Sequence, residues 1–463
     1  MLDFKSLKKT LLLSFTFFTL FSAIAITYDQ YLYADGAHFL LELFTSKTFF
    51  TPIWSRLGAN ISKEIIPYLA LNFGVTDTHI IGYLFGINYY FGPIVGIIIS
   101  YFIIRDKNAS IFIFPFFSFI YLLINQYAYL SVESLYAVSA FWPVYLYLTY
   151  ANKVDRNYLL TLIGLIILGS SYELTVILYP FVFWSLVTAF KAKRYDRKVI
   201  LLIIALFAFL GFTYSMYWGL FPENSTLVTN RSDLLNAIQG LFSNITIYLL
   251  LLAIICSWIL SQLTIENDRI KKRIQYIFLI LLVLLALAPT LNISDSGYPG
   301  RQWYFRIMVL ISTFVFASLH LLITNGKKKI IAFQPRIFLY FSIVAIVYQL
   351  QLTWGWSRFI ELYNNVLSNK TGSIELQDLK VENSELIKRY AWSWSNPTVS
   401  ILLESFHGDT INTIIKNDPV KWLPWDPYTS VTNYPDLSEY GKVYDSEALK
   451  SLSDSTYLYQ VGY

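Results

Sequence analysis

Long apolar runs alternate with short polar breaks along most of the chain. About eleven runs are long enough, at 1.5 Å per helical residue, to cross or nearly cross a hydrocarbon layer ~30 Å thick. They are 10–28, 78–104, 109–129, 134–151, 157–171, 173–190, 199–219, 241–263, 274–291, 304–324 and 337–355. The fifth and sixth are short and read as a tight hairpin turning at Ser170, Ser171, Tyr172 and Glu173. The first polar break, 29–77, has a helical pattern of its own at Ala37 to Phe44 and a second at Ile61 to Leu71. The pattern therefore predicts an all-α polytopic membrane protein with about eleven transmembrane helices. Residues 1–355 form the helical domain, and the tail, 356–463, reads as a small soluble domain.

Basic residues set the expected orientation. Twenty Lys and Arg fall in alternate loops, from Lys5, Lys8 and Lys9 through Lys191 to Lys198 to Lys327 to Lys329. The opposite short loops hold six: Lys47, Arg56, Lys63, Arg231, Arg301 and Arg306. Basic loops stay cytoplasmic, so the N-terminus is expected inside and the C-terminal domain outside. The start also looks like a signal peptide, with Ala23-Ile24-Ala25 as its cleavage site. Its apolar run exceeds a usual signal core, so an uncleaved first helix is expected.

Composition adds three points. Charged residues make up 14% of the chain, well below the ~25% of soluble domains. The single cysteine, Cys256, allows no internal disulfide. The tail from Ser357 holds 14 acidic and 9 basic residues, so the positive balance sits in the short loops. That distribution reports topology and gives no reason to expect nucleic-acid binding. The short loops suit a bacterial inner membrane.

Candidate chemistry gathers at the expected outer boundary, where ionisable groups near lipid need a reason to persist. Asp29 and Asp35 follow the first helix, Glu133 opens the fourth, and Glu173 sits in the hairpin turn beside Tyr172. If Gly36 opens a helix, Asp35 lies near its N-cap and His38 one turn on. A carboxylate there can act as general base, bind an acceptor hydroxyl or bind a metal; it can also simply cap the helix. Farther on, Asp295 precedes the tenth run, and Arg301 and Arg306 enter it. Their guanidinium groups suit phosphate, and snorkelling or pairing with a carboxylate is the plainer alternative. Together these groups suggest transfer from a lipid-phosphate donor: arginines offset leaving-group charge while a carboxylate deprotonates the acceptor.

The layout resembles the GT-C superfamily of integral-membrane glycosyltransferases. The resemblance rests on Tyr28-Asp29-Gln30, Tyr33-Ala34-Asp35-Gly36, the loop up to Asp77 and the tail from Trp356. It implies a catalytic acid in the first outer loop, with Asp35 first, Asp29 second and Glu173 as a further candidate. It also implies a polyprenyl-phosphate-type sugar donor and a glycan, lipid or protein acceptor. Arg301, Arg306, His38, Glu133 and Tyr172 are then the substrate-binding candidates. The chain departs from the family in lacking a second-loop Asp-x-Asp/Glu and a Trp-Trp-Asp-type tail signature. No residue is assigned to a metal, and the need for a divalent ion stays open. Two other readings remain: a transporter or flippase for an anionic or lipid-linked substrate, and an O-antigen polymerase- or ligase-like enzyme.

Overall fold

The computed structural model describes residues 4–33, 35–49, 54–125, 133–150, 157–191, 198–221, 310, 312–321, 336–376, 395–416 and 436–446, with isolated positions between 379 and 391. The described residues are mostly helical. Among the described residues, three helices are long and apolar enough to cross a membrane: Thr78–Arg105, Glu173–Lys191 and Lys198–Leu220. Shorter apolar helices cover Leu11–Thr27, Tyr158–Ser171 and Ser312–Leu321. The expected runs 241–263 and 274–291 and ten of the 21 residues of 304–324 lie outside the described residues, as do 222–240 and 417–435.

The helices are α1 (Phe4–Thr27), α2 (Asp35–Ser46), α3 (Leu57–Asn72), α4 (Thr78–Asn108), α5 (Ile113–Asn125), α6 (Glu133–Tyr150), α7 (Asn157–Ser171), α8 (Tyr179–Lys191), α9 (Lys198–Leu220), α10 (Ser312–Leu321), α11 (Arg336–Asn369) and α12 (Asn396–His407). Asp77 starts α4 by accepting the backbone N–H of His79 and Ile80 at 2.9 and 3.0 Å, the usual work of an N-cap carboxylate. At 31 residues α4 spans about 46 Å, longer than a bilayer core requires. It packs against α3 and the 3-10 turn Gln30–Leu32. Gly96 lets α4 cross α6 closely, since a Cβ there would lie 2.0 Å from the Ser139 carbonyl oxygen. Gly58 does the same for α3 on α7, where a Cβ would meet Ser170 Oγ at 2.3 Å.

α11 is one helix of 34 residues. The expected span 337–355 therefore runs without a break past Trp356 to Asn369. Trp356 is buried there, its indole N–H donating to the Tyr28 carbonyl at 2.9 Å. Beyond it, β1 (Gly372–Glu375) pairs in parallel with β3 (Thr413–Lys416), and β2 (Thr410–Ile411) with β4 (Val443–Tyr444). Glu404 of α12 ties the first sheet down by accepting the backbone N–H groups of Asn412 and Thr413. This tail unit docks on the first loop. Thr78 donates to the Ser405 carbonyl (2.7 Å), Tyr440 to the Phe44 carbonyl (2.9 Å), and Lys47 pairs with Glu439.

Candidate functional site

Three stretches far apart in sequence meet and bury their charges together: 54–64, the start of α6 and the turn at 172–173. A 3-10 turn, Trp54–Arg56, delivers Ser55 and Arg56. α3 adds Asn60, Lys63 and Glu64 on its buried side. Glu133 is the first residue of α6. Tyr172 is extended after α7, and Glu173 then begins a 3-10 turn, Glu173–Leu178, leading into α8. Hydroxyl groups brace this turn. Thr175 Oγ1 donates to the Tyr172 carbonyl (2.8 Å) and lies 3.0 Å from Ser215 Oγ, which donates to the Gly169 carbonyl at 2.7 Å. Tyr214 of α9 pins the other arm through a 2.6 Å hydrogen bond to the Trp54 carbonyl.

Arg56 lies between two carboxylates. Its Nη1 is 3.8 Å from Glu133 Oε1, and its Nη2 is 3.8 Å from Glu173 Oε1. Lys63 Nζ approaches the same Glu133 oxygen at 4.0 Å. Ser55 donates to Glu173 Oε2 in a long 3.5 Å hydrogen bond. Aromatic faces complete the enclosure: Arg56 Cζ lies 5.6 Å from the Tyr172 ring centroid, and Lys63 Nζ sits 3.5 Å over Phe39. Buried charges persist when oppositely charged groups surround them, and π faces add to the attraction. His38, next to Phe39 on α2, is buried as well. Burial, and then the Lys63 charge, lower its pKa to about 3, so the ring is neutral at pH 7.

A second group forms where the first loop meets the tail. Asp29 adopts a left-handed backbone, φ 51°, and accepts the Tyr31 hydroxyl at 2.7 Å. Its Oδ1 is 4.0 Å from His79 Nε2. The His79 ring stacks on Tyr83 (4.3 Å) and on Phe406 of α12 (5.1 Å), with His407 at 5.8 Å. Burial raises the Asp29 pKa to about 6, an effect the Tyr31 hydrogen bond only partly offsets. The Tyr31 hydroxyl is in turn held well above its ordinary value, chiefly by burial and then by the Asp29 charge.

The sequence candidates therefore divide. Glu133, Tyr172 and Glu173 share one cluster, with His38 beside it. Asp29 belongs to the other group, against His79. Asp35 begins α2, and its side chain lies outside the described residues, as do Arg301 and Arg306. Arg56, Lys63 and Ser55 are the site residues that sequence reasoning missed. Arg56 and Lys63 did carry a signal: both stand in the first loop against the positive-inside bias. Among the described residues no group of three or more His, Cys, Asp or Glu is placed to hold a metal ion. Comparison with protein-family models, with curated proteins and with solved structures finds no match to this chain.

Proposed function

We propose that the chain is an integral-membrane glycosyltransferase of about eleven spans, with its N-terminus cytoplasmic and its tail outside. It moves a sugar from a polyprenyl-phosphate-type donor to a glycan, lipid or protein acceptor at the outer face. The observation that carries this reading is the buried Arg56, Lys63, Glu133 and Glu173 cluster. Guanidinium and ammonium groups can bind a lipid phosphate and offset charge on a departing one. A carboxylate, Asp35 or Glu173, takes the acceptor hydroxyl's proton. The acceptor oxygen bonds the anomeric carbon, the bond from that carbon to the phosphate oxygen breaks, and the polyprenyl phosphate leaves with the electron pair. Arg301 and Arg306 complete the donor site in this proposal.

A transport path needs polar groups across the whole membrane. Beyond Glu133, α6 buries Ser139, Tyr145 and Tyr147 among its apolar residues but carries no Asp, Glu, Lys, Arg or His, and that lack of charge along the helix favours one-sided chemistry. The test uses purified protein in lipid nanodiscs with a panel of polyprenyl-phosphate sugars, read as release of polyprenyl phosphate when acceptor extract is added. The expected result is turnover that Asp35→Asn or Glu173→Gln abolishes with expression intact. Turnover unchanged in both variants removes these carboxylates from catalysis, and transbilayer movement of substrate without bond cleavage replaces the reading with a transporter.

A further inference from the structure

Among the described residues, the cations of the buried cluster are matched by its carboxylates, so a donor phosphate finds no positive charge already free for it. Among the described residues it holds two cations, Arg56 and Lys63, and two carboxylates within 4.0 Å of them. Glu64, the next residue along α3, is buried too. A phosphate entering beside these carboxylates meets repulsion unless one of them gives up its cation.

The two carboxylates are not held equally. Glu133 lies within reach of both cations and is almost fully enclosed at the head of a helix. Glu173 pairs with Arg56 and takes one long hydrogen bond from Ser55. It also begins a 3-10 turn behind an extended residue. Glu173 is therefore the carboxylate that yields.

Resting on the transferase reading, we infer that donor phosphate and Glu173 compete for the Arg56 guanidinium, so that donor binding releases Glu173 toward the acceptor. In the resting protein Arg56 holds Glu173 in an ion pair, away from the acceptor. Phosphate capture by Arg56 frees the carboxylate only when a donor is present. The sequence is ordered, donor first and acceptor second, and it keeps Glu173 engaged with Arg56 when no donor is bound. Arg56 is in this respect a positioning residue for Glu173 as well as a phosphate ligand.

The inference makes a prediction that a purely structural ion pair does not: deleting a negative charge should strengthen binding of a lipid anion. The experiment titrates a long-chain polyprenyl phosphate into the full-length protein in zwitterionic nanodiscs, with the uncharged polyprenol as control. Glu173→Gln, which keeps the side-chain shape, is expected to bind the phosphate about tenfold more tightly than the parent. Arg56→Gln is expected to lose at least that factor. Ser55→Ala, which changes no charge and removes the hydrogen bond to Glu173, should tighten binding two- to threefold and serves if Glu173→Gln does not accumulate. Parent binding of the phosphate with equal or weaker affinity in both Glu173→Gln and Ser55→Ala overturns the competition and leaves the transferase reading standing. No preference of the parent for the phosphate over the polyprenol overturns both.

Discussion

Replacing Asp29 by Asn should stabilise the protein at neutral pH while leaving it unchanged in acid. The Asp29 carboxyl is buried, and its pKa rises from 3.8 to about 6 because burial disfavours the charged form. A group raised in this way supports the fold where it is protonated in both states, below about pH 4, and that support disappears as pH rises through about 6. A shift of roughly two units is about 3 kcal/mol at pH 7, and about 0.5 kcal/mol remains at pH 4. Asn is a close match in shape, suits the left-handed backbone at φ 51° and still accepts the Tyr31 hydroxyl. Thermal unfolding in nanodiscs from pH 4 to pH 8, followed by tryptophan fluorescence, reads the difference. The variant's midpoint should meet the parent's near pH 4 and exceed it by several degrees near pH 7.5. Parallel curves, or a variant less stable at pH 7.5, refute the reasoning. The second result would mean that contact between ionised Asp29 and His79, 4.0 Å away, outweighs the burial cost.

Three further outcomes follow from the packing. Glu133→Gln leaves Arg56 and Lys63 facing one fewer carboxylate in a buried site and should cost about 3 kcal/mol, against a smaller loss for Glu173→Gln; a denaturant series on both variants ranks them. Gly96→Leu drives a side chain into the Ser139 backbone at the α4–α6 crossing and should cost more than the ~1–3 kcal/mol of ordinary overpacking, seen as loss of the monodisperse peak in size-exclusion chromatography. Tyr440→Phe removes the hydrogen bond to the Phe44 carbonyl, about 1 kcal/mol. Limited proteolysis should then cut the 436–446 segment faster, with α2 to α4 unaffected.

Much of the local structure was legible from periodicity. The helical patterns at Ala37 to Phe44 and Ile61 to Leu71 correspond to α2 (Asp35–Ser46) and α3 (Leu57–Asn72), and the polar break at 170–173 corresponds to the end of α7 and the extended Tyr172. Such features depend on neighbours three or four residues apart, which the chain itself supplies. The continuous α11 was less legible, because hydropathy falls where the helix leaves apolar surroundings while its hydrogen bonding does not. The partners of the charges were not legible at all. Hydropathy says that a buried Glu133 or Glu173 needs a counter-charge; it does not say that Arg56 and Lys63 supply it. Nor does sequence pair Asp29 with His79 and the end of α12. The one-dimensional pattern determined which segments are helical and which residues resist burial in lipid. Only the tertiary crossing of α3, α6 and the turn at Glu173 decided which charges meet, because an ion pair depends on distance through space and not along the chain.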